Sequence, residues 1–431
     1  MNTKNTNNST LCYTFSMKFS KTFDAFSHRN FRLFFMGQLI SILGSNMQST
    51  AQGYLVYELT SSASYLGTVS FMYTVPSFLF MLVSGILLDH MERRRMMIIT
   101  QTAMMLVAFS QTILIFSGII APWHILMFSF MLGTANAFDV PARQSITVDL
   151  VPREKMSNAI ALNSMMFNLT LIIGPTAAAI TYAAFGPAWC FLINAVTFLA
   201  IILALLLMKP IESERQTVAI IKKQDNTQEK VSWYEELKSG FRYLKQDSTS
   251  LIILMGIIVL GFCFAGFVPL LPAWAVNVLG GDVRTNGWLV SARGIGALVG
   301  AMIIAAISHR KIRGILWTIG SIGMPITLIV FSFTRSLSAS LAAIAVMGFF
   351  FIAMINNANA LMQTRVPDEL RGRVMSIYSL CLFGSFSLGG LAMGWVAEGL
   401  GEPTTILISG IILSVFGLAV FSLYPEMRKL H

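Results

Sequence analysis

Long apolar runs alternate with short polar breaks along most of the chain, and each run is close to the roughly 20 residues that cross a bilayer as a helix. The pattern predicts twelve spans, over 31–57, 65–88, 96–119, 122–142, 155–182, 187–208, 249–278, 284–308, 312–334, 337–362, 370–397 and 403–424. The organisation expected is an N-terminal tail (1–30), a six-helix half (31–208), a linker (209–248), a second six-helix half (249–424) and a short tail (425–431). In the linker, Trp233, Leu237, Phe241 and Leu244 recur at helical spacing among Glu235, Glu236, Lys238 and Lys245, which describes a helix lying on a membrane face. Its expected role is to tether the halves. Residues 1–16, rich in Asn, Thr and Ser, are expected to be disordered. No cleavable signal pattern precedes the first span, and either Met1 or Met17 is the initiator.

The halves repeat. VPREKMSNAIALNS from Val151 and VPDELRGRVMSIYS from Val366 align at an offset of 215 residues, since 366 − 151 = 215. The same offset pairs Gly174 with Gly389 and Gly186 with Gly401. Two parallel six-helix halves imply a substrate site between them near the bilayer midplane.

Composition sharpens this reading. Hydrophobic residues make up 55% of the chain and charged residues 12%, with a mean hydropathy of +0.69. Soluble domains carry roughly 25% charged residues, so a soluble multi-domain enzyme is excluded. The net charge of +10 is a topology signal rather than a nucleic-acid footprint, because the basic clusters occupy alternate gaps. They lie at Lys18–Arg32, Arg93–Arg95, Arg143–Lys155, Lys209–Lys245, His309–Arg313, Arg365–Arg373 and Arg428–His431. The other gaps hold Glu58, Glu398 and Glu402, with Arg284 and Arg335 as cations. Positive charge stays on the cytoplasmic side, so both termini are expected there. Cys12, Cys190, Cys263 and Cys381 fit neither a disulfide framework nor a metal site. No phosphate-binding loop is present, and no cofactor is expected.

Between the second and third spans stands Gly85-Ile-Leu-Leu-Asp89-His90-Met-Glu92-Arg93-Arg94-Arg95. It resembles the loop motif of the major facilitator superfamily, a glycine, apolar residues, an aspartate and a basic cluster. Here His90 and Glu92 stand where arginine and glycine are usual. Asp139-Val-Pro141-Ala-Arg143-Gln144, Leu150-Val-Pro152-Arg153-Glu154 and Asn158-Ala-Ile-Ala-Leu-Asn163-Ser are similar to the bacterial transmembrane secretion effector group, and Arg365-Val-Pro367-Asp368-Glu369-Leu-Arg371-Gly372-Arg373 is the matching stretch of the second half. That group includes enterobactin exporters and macrolide or multidrug exporters. The resemblance implies an all-α integral membrane protein of the major facilitator fold, a monomer of the bacterial inner membrane that exports a small molecule. It also implies a conformational latch of Gly85, Asp89, Arg93, Arg94 and Arg143. Gly174-Pro175 resembles the antiporter signature of drug exporters, with Ala178 and Ala179 where glycines are usual. Proline loosens a helix, so this pair is either a hinge or a packing kink.

Ionisable residues within spans point to function. Arg293 sits inside the eighth span, where it suits an anionic group on a substrate or else holds a structural partner. Polar residues gather at helical spacing: Ser45, Gln48 and Gln52; Ser164 and Asn168; Asn356, Asn359 and Gln363. Such faces line a cavity or bond helices together. The expected substrate cavity comprises Gln48, Gln52, Asn163, Asn359 and Arg293. For coupling to protons the candidates are Asp139 and Glu58, with Asp139 alternatively a fixed partner of Arg143 one turn on. The cargo expected is an amphiphile, a siderophore ahead of a drug-like compound or a lysophospholipid, with membrane lipid as the other contact and no nucleic acid. A membrane-embedded enzyme finds no support, since all five histidines fall at span borders.

Overall fold

The computed structural model describes residues 24–209, 233–307 and 312–430, apart from a few side chains. Six helices form the first half: α1 (Arg29–Thr60), α2 (Ala63–His90), α3 (Arg93–Phe116), α4 (Pro122–Asp149), α5 (Met156–Phe185) and α6 (Pro187–Leu207). A shorter helix, α7 (Trp233–Gln246), leads into the second half. There follow α8 (Ser248–Val278), α9 (Val283–Ile307), α10 (Arg313–Phe333), α11 (Leu337–Arg365), α12 (Asp368–Leu400) and α13 (Glu402–Leu423). Among the described residues, ten helices are long and apolar enough to cross a membrane, α3–α6 and α8–α13. α1 is as long, but carries a polar stripe through Gln38, Ser41, Ser45, Gln48 and Gln52. Large apolar side chains such as Ile113, Leu203, Met302 and Val415 stay on the outside of the bundle, as lipid contact requires.

The halves pack alike. α1 packs on α5 and α6, and α3 on α4 and α6, while α2 lies on α4. In the second half α8 packs on α12, α10 on α11 and α13, and α9 on α11. The repeat extends to single residues. Gly186 and Gly401 each end one helix and begin the next at φ of 88° and 79°, a left-handed region where glycine is unstrained. Each amide closes the last turn, on the carbonyls of Tyr182 and Ala397, and Pro187 or Pro403 starts the following helix. Gly174 lets α5 close on α1, where a Cβ would lie 2.6 Å from that of Asn46. Gly389 lets α12 close on α8, where a Cβ would lie 2.5 Å from the Phe262 carbonyl oxygen.

Two helix pairs join the halves, α2 with α12 and α5 with α9. Their contacts run from the middle of the bundle to the face opposite the described chain ends, here called the far face. Tyr57 Oη donates to Asn277 Oδ1 at 2.8 Å, and Ser62 Oγ and the Ser64 amide donate to Glu398 Oε2 at 3.0 Å. Deeper in, the Thr176 and Ser291 hydroxyls lie 2.8 Å apart, and Ser291 also donates to the Ile172 carbonyl at 2.8 Å. Toward the terminal face the same helices part. Ser157, Ala161 and Ser164 on α5 and Ser376 on α12 are exposed there.

The fourth helix runs beyond the expected span of 122–142. α4 continues past Pro141 to Asp149, the Arg143 and Thr147 turns continuing the helix. The irregular backbone lies instead in α8, which winds into wider turns over Gly261–Ala265 and Trp274–Val278 on either side of Pro269 and Pro272.

Candidate functional site

A cavity of about 280 Å³ lies between the halves at mid-depth. The first half gives it Gln48 and Gln52 from α1, Ser70 and Tyr73 from α2, Met104 from α3, Leu132 from α4, and Asn194 and Phe198 from α6. α8 contributes the irregular stretch Val268–Pro272, and α9 contributes Asn286, Val290 and Arg293. Two prolines in that stretch remove backbone donors that a regular turn would use, which is consistent with its departure from α-helical geometry beside the cavity.

The polar wall of the first half is held by a ladder of hydrogen bonds. Gln48 Nε2 donates to Gln111 Oε1 at 2.9 Å, and Gln111 Nε2 to Gln52 Oε1 at 3.3 Å. Gln52 Nε2 donates to Ser129 Oγ at 2.9 Å, and Asn194 Nδ2 to Gln48 Oε1 at 2.6 Å. Every member is buried, so each amide has its orientation set by its neighbours. A second cluster lies nearer the terminal face. Asp139, 1% exposed, accepts from Thr100 Oγ1 at 2.9 Å and Gln101 Nε2 at 2.8 Å, while Ser41 donates to Gln101. Arg143 Nη1 stands 3.8 Å from Asp139, with its guanidinium 4.9 Å from the centre of the Phe167 ring.

The second half answers with charge and little else. Arg293 is the eleventh residue of α9, about 15 Å along the helix at 1.5 Å per residue. Its Nε is buried with no acceptor, and it forms no ion pair among the described residues. Asn286, seven residues earlier and on the same helix face, has a buried Oδ1 with no donor. Both residues line the cavity and each keeps a polar atom without a partner, which suits a ligand-binding wall. No carboxylate belongs to the described lining.

The residues expected from sequence divide as follows. Gln48, Gln52 and Arg293 line the cavity. Asn163 and Asn359 do not: they lie nearer the terminal ends of α5 and α11, where Asn359 accepts from Gln363 at 2.5 Å. Glu58 sits exposed at the far face and accepts from Tyr182 Oη, whose ring meets Tyr54 edge-on at 5.4 Å. Of the latch residues, Arg93 pairs with Asp149 and Arg94 donates to the Leu206 carbonyl at 3.1 Å, both within the first half. The side chain of Asp89 lies outside the described residues. Gly85 makes no close approach, since a Cβ there would meet nothing within 4 Å. The reason is geometric: α2 meets α12 at Gly67, Ser70 and Phe78, and the pair has separated by Gly85. Pro175 leaves α5 continuous, and Gly174 serves the contact with α1.

Sequence reading missed Asn286, Asn194, Gln101 and Gln111. Each is a lone amide in an apolar run, and an Asn seven residues from Arg293 was the one readable sign. It also missed the pair that anchors α7 and α8. Arg365 Nε and Nη2 donate to the two carboxylate oxygens of Asp247 at 2.7 and 2.8 Å. Burial pushes the Asp247 carboxyl up, but those bonds, with two from Ser250, outweigh it and hold it at about 2.

Known proteins fit this geometry. The solved structure of the nucleoside transporter NupG superposes with a TM-score of 0.72 over 92% of this chain and 99% of its own, at 12% identity. In sequence, a staphyloferrin A transporter of Staphylococcus aureus is 24% identical over 88% of this chain and 92% of its own length. Macrolide efflux protein A of Streptococcus pyogenes is 22% identical over 91% and 95%. The family model described as transmembrane secretion effector matches residues 20–429. A multi-pass helical bundle, a shared cavity at its centre and a match over nearly the whole chain make this protein a member of the transmembrane secretion effector family, exporters of the major facilitator superfamily.

Proposed function

We propose that the protein carries an amphiphilic small molecule with an anionic group, of the siderophore class, out of the cytoplasm across the bacterial inner membrane by alternating access. The observation that carries this reading is Arg293, a half-buried cation without a counter-ion among the described residues, in a cavity that holds no described carboxylate. A guanidinium offers a fork of donors to a carboxylate or similar group, while Leu66, Val69, Phe198 and Val290 accept the apolar body. The basic clusters support a cytoplasmic terminal face, and in this reading the protein stands open to the compartment that supplies the cargo. The α2–α12 and α5–α9 pairs are the surfaces on which the halves would rock, the protein acting as a monomer. Protons are the coupling ion in this reading, with Asp139 and Glu58 as the titrating groups. Asp139 is engaged by Thr100, Gln101 and Arg143.

A broad drug exporter is the second reading, favoured by the likeness to macrolide efflux protein A. Mass spectrometry of medium and cell extract decides between the two. A deletion strain and its complemented twin are compared under iron starvation. An iron chelator that accumulates in the mutant and is missing from its medium supports the siderophore reading. Identical profiles, with raised drug sensitivity of the mutant, would support the drug exporter instead.

A further inference from the structure

Arg293 is a fixed cation with no answering anion, and the surrounding carboxylates cannot supply one. Asp139 is held by Thr100, Gln101 and Arg143. Glu58 is held by Tyr182, Glu398 by Ser62 and Ser64, and Glu402 by Asn277 at 2.8 Å. None of these four lines the cavity. Nor can the backbone of Arg293 swing away. Its carbonyl is packed against Gly348 of α11, and the next residue, Gly294, is packed against Leu171 of α5 in the opposite half.

The consequence concerns movement rather than affinity. While the terminal face is open, water entering the cavity solvates the guanidinium. Closing that face expels the water and leaves a bare cation in a low-dielectric interior, which is strongly disfavoured unless it is paired. We propose that an anionic group on the cargo neutralises Arg293 and thereby permits the terminal face to close, so that the protein closes over an anion and stays open when empty or occupied by a cation. Selection for anionic cargo then operates at closure as well as at binding. The proposal rests on the reading that this cavity is the transport site.

The test needs no cargo. Spin labels are placed at Glu154→Cys and Glu369→Cys, equivalent exposed positions of the two halves, in full-length protein reconstituted into vesicles. Cys12 and Cys381 are replaced by Ser, while Cys190 and Cys263 are buried away from the label. Pulsed dipolar distances then report how often the terminal ends approach. Arg293→Met, close in length and uncharged, should raise the closed fraction of the empty protein about tenfold. Arg293→Lys, which keeps the charge, should leave it as in the wild type. The proposal is overturned if Met and Arg give the same distances, or if Lys behaves as Met does. Efflux in the complemented strain separates the two levels of argument. Lost efflux in Arg293→Met with an unchanged closed fraction would leave Arg293 as a binding residue and remove its role in closure. Unaltered efflux in Arg293→Met would instead remove the cavity reading.

Discussion

The two halves share one helix plan and fill it in opposite ways. In the second half one large apolar cluster runs from Leu244 to Met427, through Phe264, Phe267, Trp274, Trp317 and Phe331, with a small one around Leu270, Met393 and Ala397. The indole nitrogens of Trp274 and Trp317 lie buried in it without acceptors. In the first half the buried apolar residues fall into separate clusters. One gathers around Phe31 and Met97, one around Tyr57 and Phe191, and one around Met104 and Phe198. The gaps between them are filled by Gln48, Gln101, Gln111, Asn194 and Asp139. One half is therefore specified by shape and the other by hydrogen bonds. In a membrane, where lipid is as apolar as a core, close packing and polar bonds are the two available means of holding helices together. The cavity inherits this division, with oriented amides on one wall and an unpaired cation on the other.

The largest effect is expected where the polar half is broken at its charge. Asp139→Ala leaves Arg143 unpaired and the Gln101 amide without its acceptor. It should cost about 3–5 kcal/mol, read as a large fall in the thermal midpoint of detergent-purified protein. Trp317→Ala, the equivalent injury to the packed half, should cost about 3–5 kcal/mol by opening a cavity. Trp317→Phe should cost far less, because the buried indole nitrogen has no bond to lose. The comparison sharpens at constant volume. Gln111→Leu keeps the shape but strands Gln48 and Gln52, and should cost about 1–3 kcal/mol. Met324→Leu in the other half should stay below about 1.5 kcal/mol. If the two swaps cost the same, the division between the halves does not hold.

The smallest effect belongs to the Asp247–Arg365 pair, which is partly exposed and screened, so Asp247→Asn should cost about 1 kcal/mol. Its pH dependence has a fixed sign. The folded carboxyl, at about 2, lies below its ordinary value of 3.8. The pair's contribution is therefore full above about pH 4 and is lost as the pH falls through about 2. Lowering the pH from 7 to 5 should change the thermal midpoints of wild type and Asp247→Asn in parallel.

Much of the fold was legible because hydropathy and charge are properties of whole runs of residues. The repeat at offset 215 placed Gly186 opposite Gly401 and Gly174 opposite Gly389, and the paired turns and close approaches follow. The backbone of α8 was not legible, since the effect of Pro269 and Pro272 depends on what packs beside them. The cavity was half legible. Gln48, Gln52 and Arg293 stand out because polar groups in a span are rare. Asn163 and Asn359 stand out equally, yet lie off the cavity lining, since spacing gives a helix face but not the depth at which the halves part. Asn286, Asn194 and the Gln111 ladder acquire their place only from neighbours distant in sequence.

The most direct measurement is uptake into inverted membrane vesicles of the iron chelator identified in the medium, with wild-type protein, with Arg293→Gln and with empty membranes. The account predicts accumulation with the wild type and a fall to near the empty-membrane level with Arg293→Gln at equal protein content. Equal accumulation by wild type and Arg293→Gln would contradict it, because the anion on the cargo would then not be met by the cation in the cavity.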